Sequence, residues 1–349
     1  MRVLLEHKRF VIFLVFVTLV IVYLGYGISV HRHSFARKLL NFDKTTENST
    51  VSTTGSANGV DIAERRRVLG KYFLRKKPLF LGKKWRQQIL PNAIEIGVRK
   101  GGTRALLKAL TLNPNIFVSA KEIHFFDKEV NYRKGLEWYR RRMPAVPKAA
   151  DTIVMEKTPA YFVTEKVPAR VHEMSPDVKL ILVVRDPVKR AVSDYAQLKS
   201  KSPKMKPFES YVVNGYGNVN DKENFIRIGR YCEHLDRWLK YFPLSQIHVV
   251  SGEKLVKNPA AELHEVEKFL GVKPVISEKD FIFNKTKGFP CFRDVRVSNG
   301  NATYNCLGKT KGRPHPNVQK EVLDKLYAYY RNYNARFYKM VGKDFGWPK

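Results

Sequence analysis

Acidic residues are in short supply in this 349-residue chain: 32 Asp and Glu stand against 64 Lys and Arg, a formal net charge of +32. Such an excess rules out an anion-repelling surface and predicts strong attraction to polyanions. Cysteine is scarcer, with three residues, so one disulfide is the most the chain can close on itself. No internal repeat is evident. The glycine loop that follows the first apolar run also lacks the Gly-Lys-Ser/Thr order of a P-loop nucleotide triphosphatase. The glycine turn here reads Lys100-Gly101-Gly102-Thr103, with its lysine before the glycines and none after them. That order argues against an ordinary nucleotide triphosphatase.

What is present around that turn is an apolar alternating run, Ile94-Glu95-Ile96-Gly97-Val98, then the glycines, then Thr103-Arg104-Ala105-Leu106-Leu107 at helical spacing. The pattern predicts strand, anion-binding loop and helix. Paired glycines let the backbone turn tightly and approach a ligand, and the amides opening the helix then face an anion. Phosphate or sulfate is the expected occupant.

Residues 10–29 form an uncharged apolar run, and about twenty helical residues cross a hydrocarbon core of roughly 30 Å. The run is longer than the apolar region of a cleaved signal peptide and is followed by a poor cleavage site, which favours an anchor over residues 10–30. Basic residues flank it on both sides, so charge leaves its orientation open. Three sequons, at Asn48, Asn284 and Asn301, and the pair Cys291 and Cys306 around a short polar loop favour a lumenal C-terminal part. Cys232 is then left over and reads as a buried apolar side chain. The organisation expected is a cytosolic tail over 1–9, the membrane helix, a flexible lumenal stem over 31–86 and one globular domain over 87–349. In that setting the basic charge suits a sulfated or carboxylated polysaccharide better than nucleic acid; a generally solvated basic surface is the alternative.

Short apolar runs at 93–98, 152–155, 180–184 and 247–250 alternate with longer helix-like segments such as 262–270. That order predicts an α/β fold, a central parallel sheet flanked by helices. Ligands of such sheets bind beyond the carboxyl ends of the strands, where the glycine loop, Glu156-Lys157-Thr158 and Arg185-Asp186-Pro187 all fall. Glu122, His124 and Asp127 lie among apolar residues, where partial burial brings a carboxyl toward the range of a general base; a surface turn with Phe125 and Phe126 as core is the plainer alternative. Lys157 adds a second cation near the glycine loop. Arg185 and Ser193, on a strand and the helix starting near Pro187, can face a second phosphate.

In these motifs the sequence resembles the heparan sulfate glucosamine 3-O-sulfotransferase family over about residues 90–347. The resemblance rests on Ile96-Gly97-Val98-Arg99-Lys100-Gly101-Gly102-Thr103-Arg104, Glu122-Ile123-His124-Phe125-Phe126-Asp127, Glu156-Lys157-Thr158-Pro159-Ala160-Tyr161-Phe162 and Arg185-Asp186-Pro187. It continues through Phe283-Asn284-Lys285-Thr286-Lys287-Gly288-Phe289, Cys306-Leu307-Gly308-Lys309 and Lys311-Gly312-Arg313-Pro314-His315.

The resemblance implies a P-loop-kinase-like sulfotransferase fold in a Golgi membrane protein of single-pass type II orientation. It implies sulfuryl transfer from 3'-phosphoadenylyl sulfate to the glucosamine 3-hydroxyl of heparan sulfate, with no metal. Lys100, Gly101, Gly102, Thr103 and Arg104 would cradle the 5'-phosphosulfate, and Arg185 and Ser193 the 3'-phosphate. Lys311, Gly312, Arg313, Pro314 and His315 would close over the donor with Pro290. Glu122 would be the base, Lys100 and Lys157 would stabilise the transition state, and His124 and Asp127 would fix the base and touch the saccharide. Lys128, Thr158, Pro159 and Ala160 would join Lys157 along the acceptor. Cys291 and Cys306 would form the disulfide. Glucosamine N-sulfation and a catalytically silent heparan-binding membrane protein are the competing functions. The first normally carries a large deacetylase domain that this chain lacks, and the second has no need of the base.

Overall fold

The strand at the heart of the fold, β1 (Ala93–Gly97), is buried along its whole length. A strand covered on both faces tends to read as a near-continuous apolar run, as β4 (Lys179–Val184) does from Leu180 onward, whereas β1 carries one buried carboxyl, Glu95. The computed structural model describes residues 86–149, 151–294, 303–308 and 313–348, all within one compact unit. Beside β1 lie β2 (Ile116–Val118), β3 (Ile153–Lys157), β4 (Lys179–Val184) and β5 (Ile247–Ser251). They form a five-stranded sheet in the order β2-β3-β1-β4-β5, parallel throughout. The four apolar runs expected to be strands are here, and β3 runs two residues further than expected, carrying Lys157 within the strand. The edge strand β2 was not foreseen; three residues are too few to show a period.

Side chains of β4 leave alternately to the two faces. Leu180, Leu182 and Val184 join a cluster with Phe125, Tyr139 and Trp238, while Ile181 and Val183 join one with Leu106, Leu263 and Val266. The helices α1 (Thr103–Leu110), α5 (Gly252–Lys257) and α6 (Pro259–Leu270) therefore cover one face, and α2 (Val167–Met174) and α4 (Tyr231–Leu239) the other. A third cluster joins α3 (Pro187–Lys201) to the C-terminal helix α7 (Lys320–Val341) through Val188, Tyr195, Leu326 and Tyr330. Helix ends follow local chemistry. Asp186 caps α3 by accepting from the amides of Val188 and Lys189, and Pro187 stands at the first helical position, where no amide is needed. Asn258 caps α6, and Gly271, at φ 79°, ends it.

Away from the main sheet, Phe281–Asn284 and Phe289–Arg293 form an antiparallel hairpin, β6 and β7, with a two-residue strand β8 (Tyr304–Asn305) on its edge. Cys291 on β7 is disulfide-bonded to Cys306, and Cys232 is a buried thiol. No helix among the described residues is long and apolar enough to cross a membrane. The apolar run, the stem, Asn48 and Asn301 lie outside the described residues.

One buried and one half-buried histidine make the fold sensitive to acid. His234 Nδ1 takes a hydrogen bond from Arg237 at 2.5 Å, so Nε2 carries the proton and donates it to the Arg227 carbonyl at 3.0 Å. Burial, followed by the Arg237 charge against the opposing carbonyl bond, pushes His234 down to about 4. Burial and Lys343 push His248, stacked on Phe269, down to about 4 as well. At these two histidines the unfolded chain binds more protons than the folded one between pH 4 and about 6.5, so their contribution to stability rises with pH across that window, opposite in sign to that of the buried carboxyls Glu95, Glu156 and Asp186. In His248→Phe the urea midpoint should lose less, or gain more, between pH 6.5 and 5 than in the unaltered protein; an identical pH profile would contradict this packing.

Candidate active site

The turn after β1 lies directly on the end of β4. A Cβ on Gly101 would stand 2.4 Å from the Val183 carbonyl oxygen, and one on Gly252 would stand 2.3 Å from the Gly101 carbonyl oxygen. Three backbone segments, from β1, β4 and β5, thus meet at distances only glycine allows. Lys100 (φ 72°) and Gly102 (φ 123°) complete the turn in left-handed conformations. Helix α1 then opens at Thr103 with no side chain capping it and no acidic residue in its first turn. Its amides and the positive end of its dipole face the cleft above the strand ends, a suitable seat for an anion. Connections from β1 and β4 leave in opposite directions along the sheet, so this is also the topological switch point where ligands of such folds bind.

The cleft has a volume of about 890 Å³ and is lined by ten Lys and Arg side chains against two carboxylates, Glu122 and Glu253. Glu253 is engaged in structure, accepting from the Asp186 amide at 2.9 Å. From the glycine loop come Arg99, held to Asp194 at 2.5 Å, and Lys100, which donates to Gln197 at 3.0 Å. Asp194 in turn is braced by buried Arg190 at 3.0 Å. Arg185 lines the cleft from the end of β4, while Asp186 beside it turns away to cap α3. Along α3, Lys189, Ser193, Gln197 and Lys201 recur every fourth residue and line the cleft together. Of that stripe only Ser193 was singled out in the sequence, although the spacing from Ser193 would have identified the rest. Gly252 was likewise missed, and the rule that ligands sit beyond strand ends points to it after β5.

Opposite the glycine loop, Glu122 is 41% exposed and ion-paired with the Lys157 ammonium, which is 7% exposed. His124 reaches toward Glu122 with Nε2 at 3.7 Å and is held from behind by Asp127, whose Oδ2 lies 2.7 Å from Nδ1. His124 adopts φ 53°, which is uncommon outside glycine. Its surroundings hold it there: its amide donates to Thr158 Oγ1 at 3.3 Å, and its carbonyl accepts from Asn131 at 3.0 Å. The next amide, of Phe125, donates to the Tyr161 hydroxyl at 3.0 Å. Thr158 donates to Glu156 at 3.0 Å and Tyr139 donates to it at 2.8 Å. Burial pushes the Glu156 carboxyl up, and the hydroxyls of Tyr161, Tyr139 and Thr158 oppose that. One buried carboxyl thus organises the hydroxyls on which the loop carrying Glu122 rests.

Most expected site residues converge here. Lys100 to Arg104, Glu122, His124, Lys157, Pro159, Ala160, Arg185, Ser193, Pro290, Arg313 and His315 all line the cleft. Partial burial, then the Arg185 and Lys100 charges, holds His315 below its usual value, which sets it beside the same cations. Four others are placed differently. Thr158 is fully buried with its hydroxyl committed to Glu156, so it lies beneath the acceptor side. Asp127 sits behind His124, and Lys128 is exposed at the start of the short helix Glu129–Tyr132, outside the lining. Pro314 is exposed and also outside the lining, whereas Lys311 and Gly312 fall outside the described residues. Asn284 is half-buried, its Oδ1 accepting from the Lys287 amide at 2.9 Å and its Nδ2 lying 3.6 Å from Cys306 Sγ. Among the described residues no group of three or more His, Cys, Asp or Glu is placed to hold a metal ion.

Comparison with known proteins bears on this arrangement. The sulfotransferase domain family matches residues 90–342. The chain is 51% identical over 258 residues to heparan sulfate glucosamine 3-O-sulfotransferase 6 of Mus musculus, covering 74% of this chain and 73% of that protein. It is 46% identical over 267 residues to heparan sulfate glucosamine 3-O-sulfotransferase 5 of Homo sapiens, covering 75% of each. Among solved structures, a sulfotransferase from Alicyclobacillus acidocaldarius shares the fold, with a TM-score of 0.54 at 20% identity over 74% of this chain and 98% of that one.

Replacing Tyr161 by Phe tests the support of the base loop. The change keeps the ring but leaves the buried Phe125 amide without its acceptor and Glu156 with one donor fewer. Stability should drop by about 1–3 kcal/mol, read as a lower urea midpoint at unchanged slope. An unaltered midpoint would show that the hydroxyl network does not hold the loop.

Proposed function

This chain belongs to the heparan sulfate glucosamine 3-O-sulfotransferase family, and we propose that it moves the sulfuryl group of 3'-phosphoadenylyl sulfate to the 3-hydroxyl of glucosamine in heparan sulfate. The observation that carries this reading is the Glu122–Lys157 pair standing at the edge of a cation-lined cleft above the uncapped start of α1. A carboxylate facing many cations is what a proton acceptor among anionic substrates requires. The donor's anions fit the residues present: the start of α1 has no side-chain cap, and ten Lys and Arg side chains line the cleft it faces.

In this reading Lys100, Gly101, Gly102, Thr103 and Arg104 hold the 5'-phosphosulfate at the helix start, and Arg185 and Ser193 hold the 3'-phosphate. Pro290, Arg313 and His315 border the same side, with Lys311 and Gly312 continuing the segment. Glu122 takes the proton of the sugar hydroxyl as the new oxygen–sulfur bond forms and the bond from sulfur to the phosphate oxygen breaks. General-base assistance of that kind is worth about 10² to 10⁴ in rate. Lys100 and Lys157 oppose the negative charge that builds on the departing phosphate and the sulfuryl oxygens, most effectively where water is excluded. Asp127 keeps His124 oriented, and His124 with Pro159 and Ala160 borders the acceptor side. The remaining basic side chains of the cleft suit a polysaccharide bearing sulfates and carboxylates. We further propose a Golgi membrane protein with its catalytic domain lumenal, on the apolar run at 10–30 and the sequons at Asn48, Asn284 and Asn301.

Glu122→Gln separates base from cradle. With labelled donor and heparan sulfate, its turnover should fall by about 10² to 10⁴. Stabilisation of the variant by 3'-phosphoadenosine 5'-phosphate should persist, because no anion contact is removed. Normal turnover in the variant would discard Glu122 as the base, and absence of stabilisation in the unaltered protein would discard the donor assignment.

A further inference from the structure

Two carboxyls sit within the sheet beneath the cleft, and they are treated unlike one another. Glu156 is surrounded by hydroxyl donors. Glu95, on β1, is 0% exposed, and neither of its carboxyl oxygens has a hydrogen-bond partner. An unsatisfied carboxyl in a strand core is costly, and a β-branched apolar residue would fit the position without that cost. A native structure that keeps such a group calls for an explanation at the site it adjoins.

Glu95 lies in register with Lys157 across the parallel β1–β3 pair, so the two side chains leave the same face of the sheet. Ala93 and Met155, two residues earlier on the same strands, enter one apolar cluster together and mark that face. The Glu95 carbonyl also accepts from the Thr158 amide at 3.3 Å, which ties the end of β3, and with it the root of the Lys157 side chain, to β1. The charged groups facing Glu95 are Lys157 and Glu122. Its partner in β4 is Ile181, and the buried residues of α1 above that face are Thr103, Leu106, Ala109 and Leu110. Burial pushes the Glu95 carboxyl well above the ordinary range, the Lys157 charge pulls it down and the Glu122 charge pushes it up. Burial thus favours the protonated carboxyl, and neither of its oxygens is engaged, so an acceptor remains open.

We propose that Glu95 is a positioning residue that offers the Lys157 ammonium a second acceptor, so that when the sugar hydroxyl arrives one of its three N–H donors can leave Glu122 for Glu95 while another still faces the sulfuryl oxygens. The inference rests on the role of Glu122 set out above. The ammonium occupies Glu122 Oε1, an oxygen that would otherwise be open to the hydroxyl proton. Lys157 is 7% exposed, so water is a poor substitute for the partner it must give up. The proton of the hydroxyl goes to Glu122, and Glu95 takes no part in that transfer.

The test compares Glu95→Ile, Glu95→Gln and Glu122→Gln in the full chain, with kcat and KM measured against pH using labelled donor and heparan sulfate. Glu95→Ile should melt at a higher temperature, keep its KM and its stabilisation by 3'-phosphoadenosine 5'-phosphate, and lose about tenfold in plateau kcat. Glu95→Gln retains a carbonyl acceptor and should recover most of the plateau. If the isoleucine protein does not fold, Glu95→Met serves as the second apolar variant with the same expectations. A plateau kcat unchanged in the apolar variant would overturn the proposal and leave Glu95 as a stability burden only. Activity surviving in Glu122→Gln would instead remove the base assignment, whatever the Glu95 variants do.

Discussion

Contact between backbones at Gly101 governs how the cleft is made. The turn after β1 can lie on the Val183 carbonyl, and α5 can begin against that turn at Gly252, because neither residue has a Cβ. That packing brings the carboxyl ends of β1, β4 and β5 to one point and aims the start of α1 at the space above them. Every cation of the glycine loop and of α3 takes its place from this meeting. Because the site is built from backbone pressed on backbone, its anion seat is set by the fold itself, with side chains adding charge to a geometry already present.

The acceptor side is built by different means. Here hydroxyls and carboxyls supply the precision: Glu156 gathers Thr158 and Tyr139, and Thr158 and Tyr161 hold the amides of His124 and Phe125. The loop bearing Glu122 is thereby fixed in a conformation, with His124 at φ 53°, that its sequence would not favour alone. Stability is concentrated below the loop, while Glu122 and His124 stay partly open to the cleft. Glu95 departs from that economy as a buried group without partners beside the one lysine that must serve two purposes. Protein cores that retain such groups give up stability for function.

Much of this was legible in the residues. Near-continuous apolar runs marked four of the five strands, the glycine turn marked the anion loop, and Asp186-Pro187 marked the start of α3. What stayed hidden follows from limits of period and proximity. Ile116–Val118 is too short to show a strand pattern, and it was placed only by pairing with β3. Thr158 and Asp127 sit within functional motifs, yet one turns its hydroxyl down to Glu156 and the other backs His124. A motif names residues together without saying which face the cleft. The stripe Lys189, Gln197 and Lys201 was present in the spacing but became meaningful only once Ser193 was seen to face inward. Glu95 could not be found from sequence, since one carboxyl in an apolar strand reads equally as an edge position or a bulge, and only its burial without partners sets it apart.

The account turns on which atom of the acceptor receives sulfur. The most direct measurement is to incubate the protein with labelled 3'-phosphoadenylyl sulfate and heparan sulfate, cut the product to disaccharides and locate the label. Label on the glucosamine 3-hydroxyl is the predicted result. Label on the glucosamine nitrogen, or none at all, would contradict it.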